Sequence, residues 1–92
     1  MSRARAHLFI SGLVQGVFFR KNTKRQAKKR DLVGWVRNLD DGRVEAVFEG
    51  EKDNLEGMIE WCHQGPRLAD IERVETEWED PTDELESFRI RR

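Results

Sequence analysis

Cysteine is nearly absent from this sequence, which has one, at position 62, in 92 residues. A single cysteine cannot form an internal disulfide, so we expect the reducing environment of the cytoplasm. Long apolar runs are also absent. Residues 8–10 are too short for the apolar core of a signal peptide, and no stretch approaches the roughly 18 apolar residues of a membrane span. We therefore expect a cytoplasmic protein without membrane association.

The composition is typical of one small, highly charged domain. Hydrophobic residues make up 37% of the chain and charged residues 38%. This length allows one modest hydrophobic core and is too short for two, so we expect a single domain over residues 1–92. Residues 1–37 hold ten Lys or Arg and one acid, whereas residues 38–92 hold seven Lys or Arg and seventeen acids. The basic excess is concentrated in residues 20–30. Such a run is either a solvated helix face or a positive field that attracts a phosphate or a nucleic acid.

The first half of the chain has the pattern of a strand, a helix and a hairpin. Residues 4–10 alternate between a more apolar and a more polar face, which predicts a half-buried strand. Residues 21–30 follow as a short helix. Strands are predicted at 33–39 and 43–49, because Asp40, Asp41 and Gly42 between them are typical of a tight hairpin turn.

The second half repeats the order of helix and strand. One apolar stripe at helical spacing predicts the second helix; its members are Leu55, Met58, Ile59 and Cys62. Asp53 and Glu56 fit a capping box at its start, and Gly65 with Pro66 ends it. The apolar positions then shift from odd to even numbers, which predicts a β-bulge near residues 72–73. A short strand at 88–90 closes the chain.

This order of elements predicts an α+β fold, the ferredoxin-like two-layer sandwich. The pattern is βαββαβ with a short extra strand, and two helices cover one face of an antiparallel sheet. The three tryptophans, at positions 35, 61 and 78, are expected to be core or partly buried residues. Many unrelated activities use this fold, so function must be argued from a site.

The loop between the first strand and the first helix is the candidate site. Gly12 and Gly16 permit a tight path that turns backbone N–H groups toward one point, beside the start of a helix. Arg20 adds a fork of donors that matches two phosphate oxygens. The alternative is a surface loop whose arginine pairs with an acid. We assign the phosphate-binding backbone to the residues Gln15, Gly16, Val17, Phe18 and Phe19.

Two long segments of the sequence resemble the signature segments of the acylphosphatase family. They are GLVQGVFFR at 12–20 and GWVRNLDDGRVEAVFEG at 34–50, and the similarity continues through GPRLADIERV at 65–74 and SFRI at 87–90. The resemblance implies the ferredoxin-like fold and hydrolysis of acyl phosphates to a carboxylate and inorganic phosphate. It also implies that Arg20 holds the phosphoryl group and Asn38 positions the attacking water. Asp31 departs from the family, whose members often end the first helix with a glycine.

The residue types around the loop favour water as the nucleophile. A cysteine-dependent phosphatase would have its thiol at position 14, which is a valine. His7 and Ser11 lie four residues apart on one strand, about 13 Å, which is too far for proton transfer. Cys62 and His63 are adjacent on a helix and point in different directions, so they do not form a metal site. We predict no covalent intermediate, no metal and no cofactor.

Asn38 ends the second strand, where its amide offers both a donor and an acceptor to a water. It cannot act as a base at neutral pH, and the family resemblance suggests that the proton passes to the phosphate oxygens of the substrate. The alternative role is completion of the hairpin turn.

Two other functions compete with an enzyme. RNA-recognition domains share the fold and present aromatic and basic residues on the sheet. The third strand here carries Glu45 and Glu49, which would repel RNA, so we expect no nucleic-acid partner. A regulatory domain that binds phosphate without turnover is the other alternative. We expect a monomer that acts on a small acyl phosphate.

Overall fold

Two helices pack on one face of a five-stranded sheet in the computed structural model, which describes residues 2–92. The elements follow in the order β1 (Arg3–Leu13), α1 (Phe19–Lys29), β2 (Val33–Asn38), β3 (Val44–Glu51), α2 (Lys52–Gln64), β4 (Asp70–Glu79) and β5 (Phe88–Ile90). The predicted order of elements and the two-layer sandwich are confirmed.

The sheet order is β4-β1-β3-β2-β5. The pairs β1–β3, β1–β4 and β2–β3 are antiparallel, as predicted, but β5 pairs with β2 in parallel. The sheet is therefore mixed and not purely antiparallel. Residues 80–87 carry the chain from the β4 edge to the opposite edge, and there β5 adds beside β2 in the same direction.

The alternation of apolar and polar residues in β1 buries one face of the strand, as predicted. Ala6, Leu8 and Ile10 are fully buried beneath the helices. The predicted bulge is also confirmed, because Ser11 pairs with Arg73 while Gly12 pairs with Ile71, which leaves residue 72 without a partner in the ladder. Gly12 is required here. It has a φ of +123°, and an added Cβ would lie 2.2 Å from the carbonyl oxygen of Asp70.

The starts of both helices differ from the prediction. Helix α1 begins at Phe19, two residues early, so Arg20 lies in its first turn. Helix α2 begins at Lys52 after Glu51, and no side chain caps it, so the predicted capping box is wrong. Asp53 lies inside the first turn instead, where its charge favours the helix dipole. The stop is confirmed, since Gly65 follows the last helical residue with a φ of +68°.

Helix α1 ends in a Schellman motif at Asp31. The Leu32 N–H donates to the Ala27 carbonyl (2.9 Å), and the Asp31 N–H donates to the Lys28 carbonyl (3.2 Å). This geometry places Asp31 at a φ of +55°, in the left-handed region that favours glycine. The aspartate that departs from the family pattern therefore occupies a strained position.

We predict that Asp31→Gly raises the free energy of unfolding by roughly 0.5–1 kcal/mol, because glycine adopts this φ without strain. Asp31→Ala is the matched control, since it removes the same charge but keeps a Cβ. Urea unfolding of both variants measures the difference. If the glycine variant were no more stable than the alanine variant, backbone strain at this position would be refuted.

The third strand contains two acids that are buried. Glu49 on β3 is fully buried, and Glu45 is nearly so. Glu45 bonds to His7 and Arg37, at 2.6 Å each. Both carboxylates are buried, so the expected repulsion of RNA by Glu45 and Glu49 does not come from solvent-exposed charge.

The tryptophans follow the prediction at two of three positions. Trp35 and Trp61 are half-buried, but Trp78 is 48% exposed. It lies on the edge strand β4, and its ring is 5.8 Å from Nζ of Lys52. The prediction for Trp78 was wrong because sequence alternation does not identify an edge strand.

Glu49 anchors the segment that leads to β5. Its carboxylate accepts hydrogen bonds from the backbone N–H groups of Thr82 (3.0 Å) and Asp83 (2.9 Å) and lies 3.3 Å from Nη1 of Arg5. Burial alone would raise the pKa of Glu49, but these donors outweigh it and lower the pKa from its ordinary value of 4.5. Since β5 supplies a wall of the candidate site, this contact connects the core to the site.

Because the pKa of Glu49 is lowered in the folded state, its contribution to the stability of the protein decreases in acid. The stabilisation from Glu49 is present above the unfolded-state pKa and is lost as the pH falls through the lower folded-state value. We predict that Glu49→Gln reduces stability at pH 7 by about 1–3 kcal/mol and weakens the loss of stability below pH 4.5. Glu79→Gln is the control, because Glu79 also pairs with Arg5 (2.9 Å) but is partly exposed. Equal effects of the two substitutions in urea titrations at several pH values would contradict this role.

Candidate active site

Arg20 and Asn38 line one surface cleft of about 340 Å³. Arg20 comes from the first turn of α1, and Asn38 is the last residue of β2. Gly16 and Phe18 from the loop that precedes the helix also line the cleft, as does Phe19, the first residue of the helix. The sequence-predicted arginine and asparagine therefore lie together, although they belong to different elements.

The loop contains two residues of the left-handed type that an anion-binding nest uses. Gly16 and Phe18 have φ values of +76° and +64°, whereas Gln15, Val17 and Phe19 do not have positive φ. In a nest, such residues help to turn successive N–H groups toward a common point. Phe18 is a bulky residue in a conformation that such side chains rarely adopt, which is the kind of local strain found at functional sites.

The predicted loop residues have different surroundings. Gln15 and Val17 do not contribute to the lining of the cleft. Val17 is buried, and the Gln15 side chain points to the β2–β3 hairpin. Its Nε2 donates to the carbonyl oxygens of Leu39 (2.8 Å) and Arg43 (3.0 Å). Gln15 thus ties the loop to the hairpin that carries Asn38, a positioning role that the sequence did not suggest.

The side chain of Asn38 contains an unpartnered polar atom. Its Oδ1 is buried and accepts no hydrogen bond from the residues that the structure describes. A buried acceptor without a partner is costly and uncommon in folded proteins. The amide therefore does not complete the hairpin turn through this oxygen, which was the alternative role.

The guanidinium of Arg20 is half-buried and forms no ion pair with the acids of residues 2–92. Its neighbour Lys21, also on the cleft, likewise has no acidic partner within this range. Within the described residues, Arg20 therefore does not pair with an acid, and the alternative of a surface loop with a paired arginine is wrong. Two uncompensated cations at a helix start give the cleft a positive potential.

A family model for acylphosphatase matches residues 6–90, nearly the whole chain. The chain belongs to the acylphosphatase family. An acylphosphatase from Natronomonas pharaonis is 53% identical over 90 residues, which cover 98% of this chain and 97% of the relative. One from Thermococcus kodakarensis is 54% identical over 90 residues, which cover 98% of each chain.

Solved structures agree with this assignment. The crystal structure of acylphosphatase from Bacillus subtilis matches with a TM-score of 0.93 and 31% identity, over 97% of this chain and 99% of that one. The family and the ferredoxin-like fold predicted from the motifs are confirmed. So is the class of enzyme, a hydrolase of acyl phosphates.

Sequence reasoning missed three members of the acylphosphatase cleft, and the first is Val14, which precedes the predicted loop residues. Lys21 lines it beside Arg20, and Ile90 forms a wall from the far end of the chain. The adjacency of Lys21 to Arg20 in the basic run was an available signal. No signal pointed to Ile90, because its position depends on the parallel pairing of β5 with β2, where it lies opposite Val36.

Neither a candidate metal cluster nor a membrane-spanning helix is present in the part of the chain that the structure describes. No group of three or more His, Cys, Asp or Glu residues there could hold a metal ion. No helix among these residues is long and apolar enough to span a membrane.

Proposed function

We propose that Arg20 and the loop backbone hold the phosphoryl group of an acyl phosphate while Asn38 orients the attacking water. One observation carries this proposal. Arg20, a cation without an acidic partner among the described residues, lines the same cleft as Asn38, whose buried amide oxygen has no donor there. The first suits an anion and the second suits a water molecule that donates a hydrogen bond.

The phosphoryl group would lie against the nest at Gly16 and Phe18, at the N-terminus of α1. Backbone N–H groups and the helix dipole favour negative charge there, and the Arg20 fork can bind two phosphoryl oxygens. These donors are fixed before the substrate arrives. They can therefore stabilise the charge on the phosphoryl oxygens in the transition state without reorganisation.

In the proposed step, the water oxygen forms a bond to phosphorus as the bond from phosphorus to the acyl oxygen breaks. The electron pair of the broken bond leaves with the carboxylate, and the proton of the water passes to a phosphate oxygen. Asn38 holds the water in line but takes no proton, because an amide has no basic site at neutral pH. A carboxylate is a good leaving group, so no strong general acid is needed.

The residues that could form a covalent intermediate are poorly suited to do so. Val14 is buried at the position where a cysteine-dependent phosphatase would hold its thiol. Cys62 is fully buried in the core, and burial raises its pKa to about 12, so its thiol stays protonated. His7 is bonded to Glu45 on the sheet (2.6 Å). These features support direct attack by water.

The test is release of inorganic phosphate from benzoyl phosphate in the presence of a chelator. We expect hydrolysis well above the enzyme-free rate, with inorganic phosphate as a competitive inhibitor. Phosphate should also raise the melting temperature by mass action, beyond the effect of chloride at equal ionic strength. Phosphate binding without turnover would instead indicate a regulatory domain, and the proposed activity would be rejected.

A further inference from the structure

A second groove of about 650 Å³ adjoins the cleft and has a size suited to a small organic group. It shares Phe18 and Lys21 with the cleft, but Arg20 and Asn38 do not line it. The groove runs between the basic face of α1 and residues 66–68, which follow α2. Phe18 is thus the boundary between two connected spaces.

The floor of this groove is apolar and unusually exposed. Phe18 is 65% exposed and Leu68 is 60% exposed, and half-buried Trp61 also lines the groove. Phe18 keeps its exposed position despite a strained backbone with a φ of +64°. An exposed aromatic surface beside a reaction site is suited to contact with the carbon skeleton of a ligand.

The rim of the groove is positively charged. Lys21 and Arg25 from α1 and Arg67 from the opposite side line it, and no acid does so. None of these three cations forms an ion pair with the acids of residues 2–92. The groove therefore combines an apolar floor with uncompensated positive charge on both sides.

We propose that this groove binds the acyl portion of the substrate and favours acyl groups that carry a second negative charge beyond an apolar body. This inference rests on the proposed function of the cleft. In an in-line displacement the leaving group lies opposite the attacking water. Asn38 lines only the cleft, and the groove shares Phe18 and Lys21 with the cleft, so we place the leaving carboxylate, directed away from Asn38, in the groove.

Lys21 has a distinct place in this arrangement because it lines both spaces. It lies next to the phosphoryl group and next to the start of the acyl chain. Arg25 and Arg67 line only the groove, so they are the residues that interact with a negative charge on the distal part of the acyl group. Their side chains are exposed, so their substitution leaves the core intact.

The experiment compares benzoyl phosphate with 4-carboxybenzoyl phosphate, and with the methyl ester of the latter as a neutral isostere. We expect the parent to have a kcat/KM about 3–10-fold higher for the carboxylate than for the ester, since exposed ion pairs are individually weak. This ratio should approach one in Arg25→Ala/Arg67→Ala and should decline with added salt. Lys28→Ala/Lys29→Ala removes the same charge from exposed residues of α1 that do not line the groove, and should keep the parent ratio.

Each outcome has a defined meaning. A parent ratio near one at low salt, or a ratio preserved in Arg25→Ala/Arg67→Ala, would overturn the inference. Equal loss of the ratio in both double variants would also overturn it, because the preference would then come from the overall charge of the helix. Arg20→Ala separates this test from the proposed function. If Arg20→Ala hydrolysed both substrates at the parent rate, the cleft assignment itself would be wrong.

Discussion

Replacing Arg20 by alanine should lower kcat/KM for acyl phosphate by at least about 10³-fold and abolish competition by inorganic phosphate. The Arg20 guanidinium has a planar fork of N–H donors that can bind two phosphoryl oxygens at once. A charge-assisted bidentate contact in a preorganised site is among the stronger polar interactions available to a protein. Steady-state kinetics with phosphate as inhibitor measures both effects.

Arg20→Lys is the matched variant, because it keeps the charge but loses the planar fork. We expect partial recovery of phosphate affinity and much less recovery of turnover. Arg20 has no ion pair with the described acids, so neither change should cost much stability, which thermal unfolding can verify. If phosphate inhibited Arg20→Ala competitively with the same inhibition constant as the unsubstituted protein, the arginine would not be the phosphate ligand.

Replacing Asn38 by alanine should have a different effect. We expect kcat to fall by about 10²–10³-fold, comparable to the loss of one preorganised donor elsewhere, while phosphate affinity stays within a few-fold of the parent. The reason is that the proposed partner of Asn38 is the water and not the phosphate. The test therefore measures kcat and, by direct titration, the affinity for phosphate, in both Asn38→Ala and the unsubstituted protein.

The fold should tolerate this substitution. The Oδ1 of Asn38 accepts no hydrogen bond from the described residues, so its removal should change the unfolding midpoint only slightly. A folded Asn38→Ala protein that bound phosphate and kept the parent kcat would remove the water-positioning role. A parallel loss of phosphate affinity would instead place Asn38 on the phosphate.

Local patterns were sufficient to predict the strands, the helices and the bulge. The alternation in β1 and the apolar stripe of α2 each depend on neighbours in sequence, and both were confirmed. Features that depend on tertiary pairing were not predictable in this way. The order of strands in the sheet determines the parallel direction of β5, the burial of Glu49 and the exposure of Trp78. The spacing of apolar residues along the sequence does not reveal this order.

In the candidate site, too, the residues in local motifs could be predicted and those from distant segments could not. Arg20 and Asn38 were selected by long motifs and by the chemistry of their side chains, and the fold brings both to one cleft. Ile90 and the groove at residues 66–68 come from distant segments, so no local pattern joins them to the loop. The side-chain role of Gln15 was missed because its two acceptors are carbonyls of the hairpin.

In the proposed mechanism, water attacks phosphorus and not the carbonyl carbon. Hydrolysis in ¹⁸O-labelled water, followed by mass spectrometry of both products, distinguishes these two routes. With the enzyme-free background subtracted, one labelled oxygen should appear in the inorganic phosphate, and the carboxylate should stay unlabelled. Label in the carboxylate would mean cleavage of the carbon–oxygen bond, and a phosphoryl group held by Arg20 opposite a water on Asn38 could not produce it.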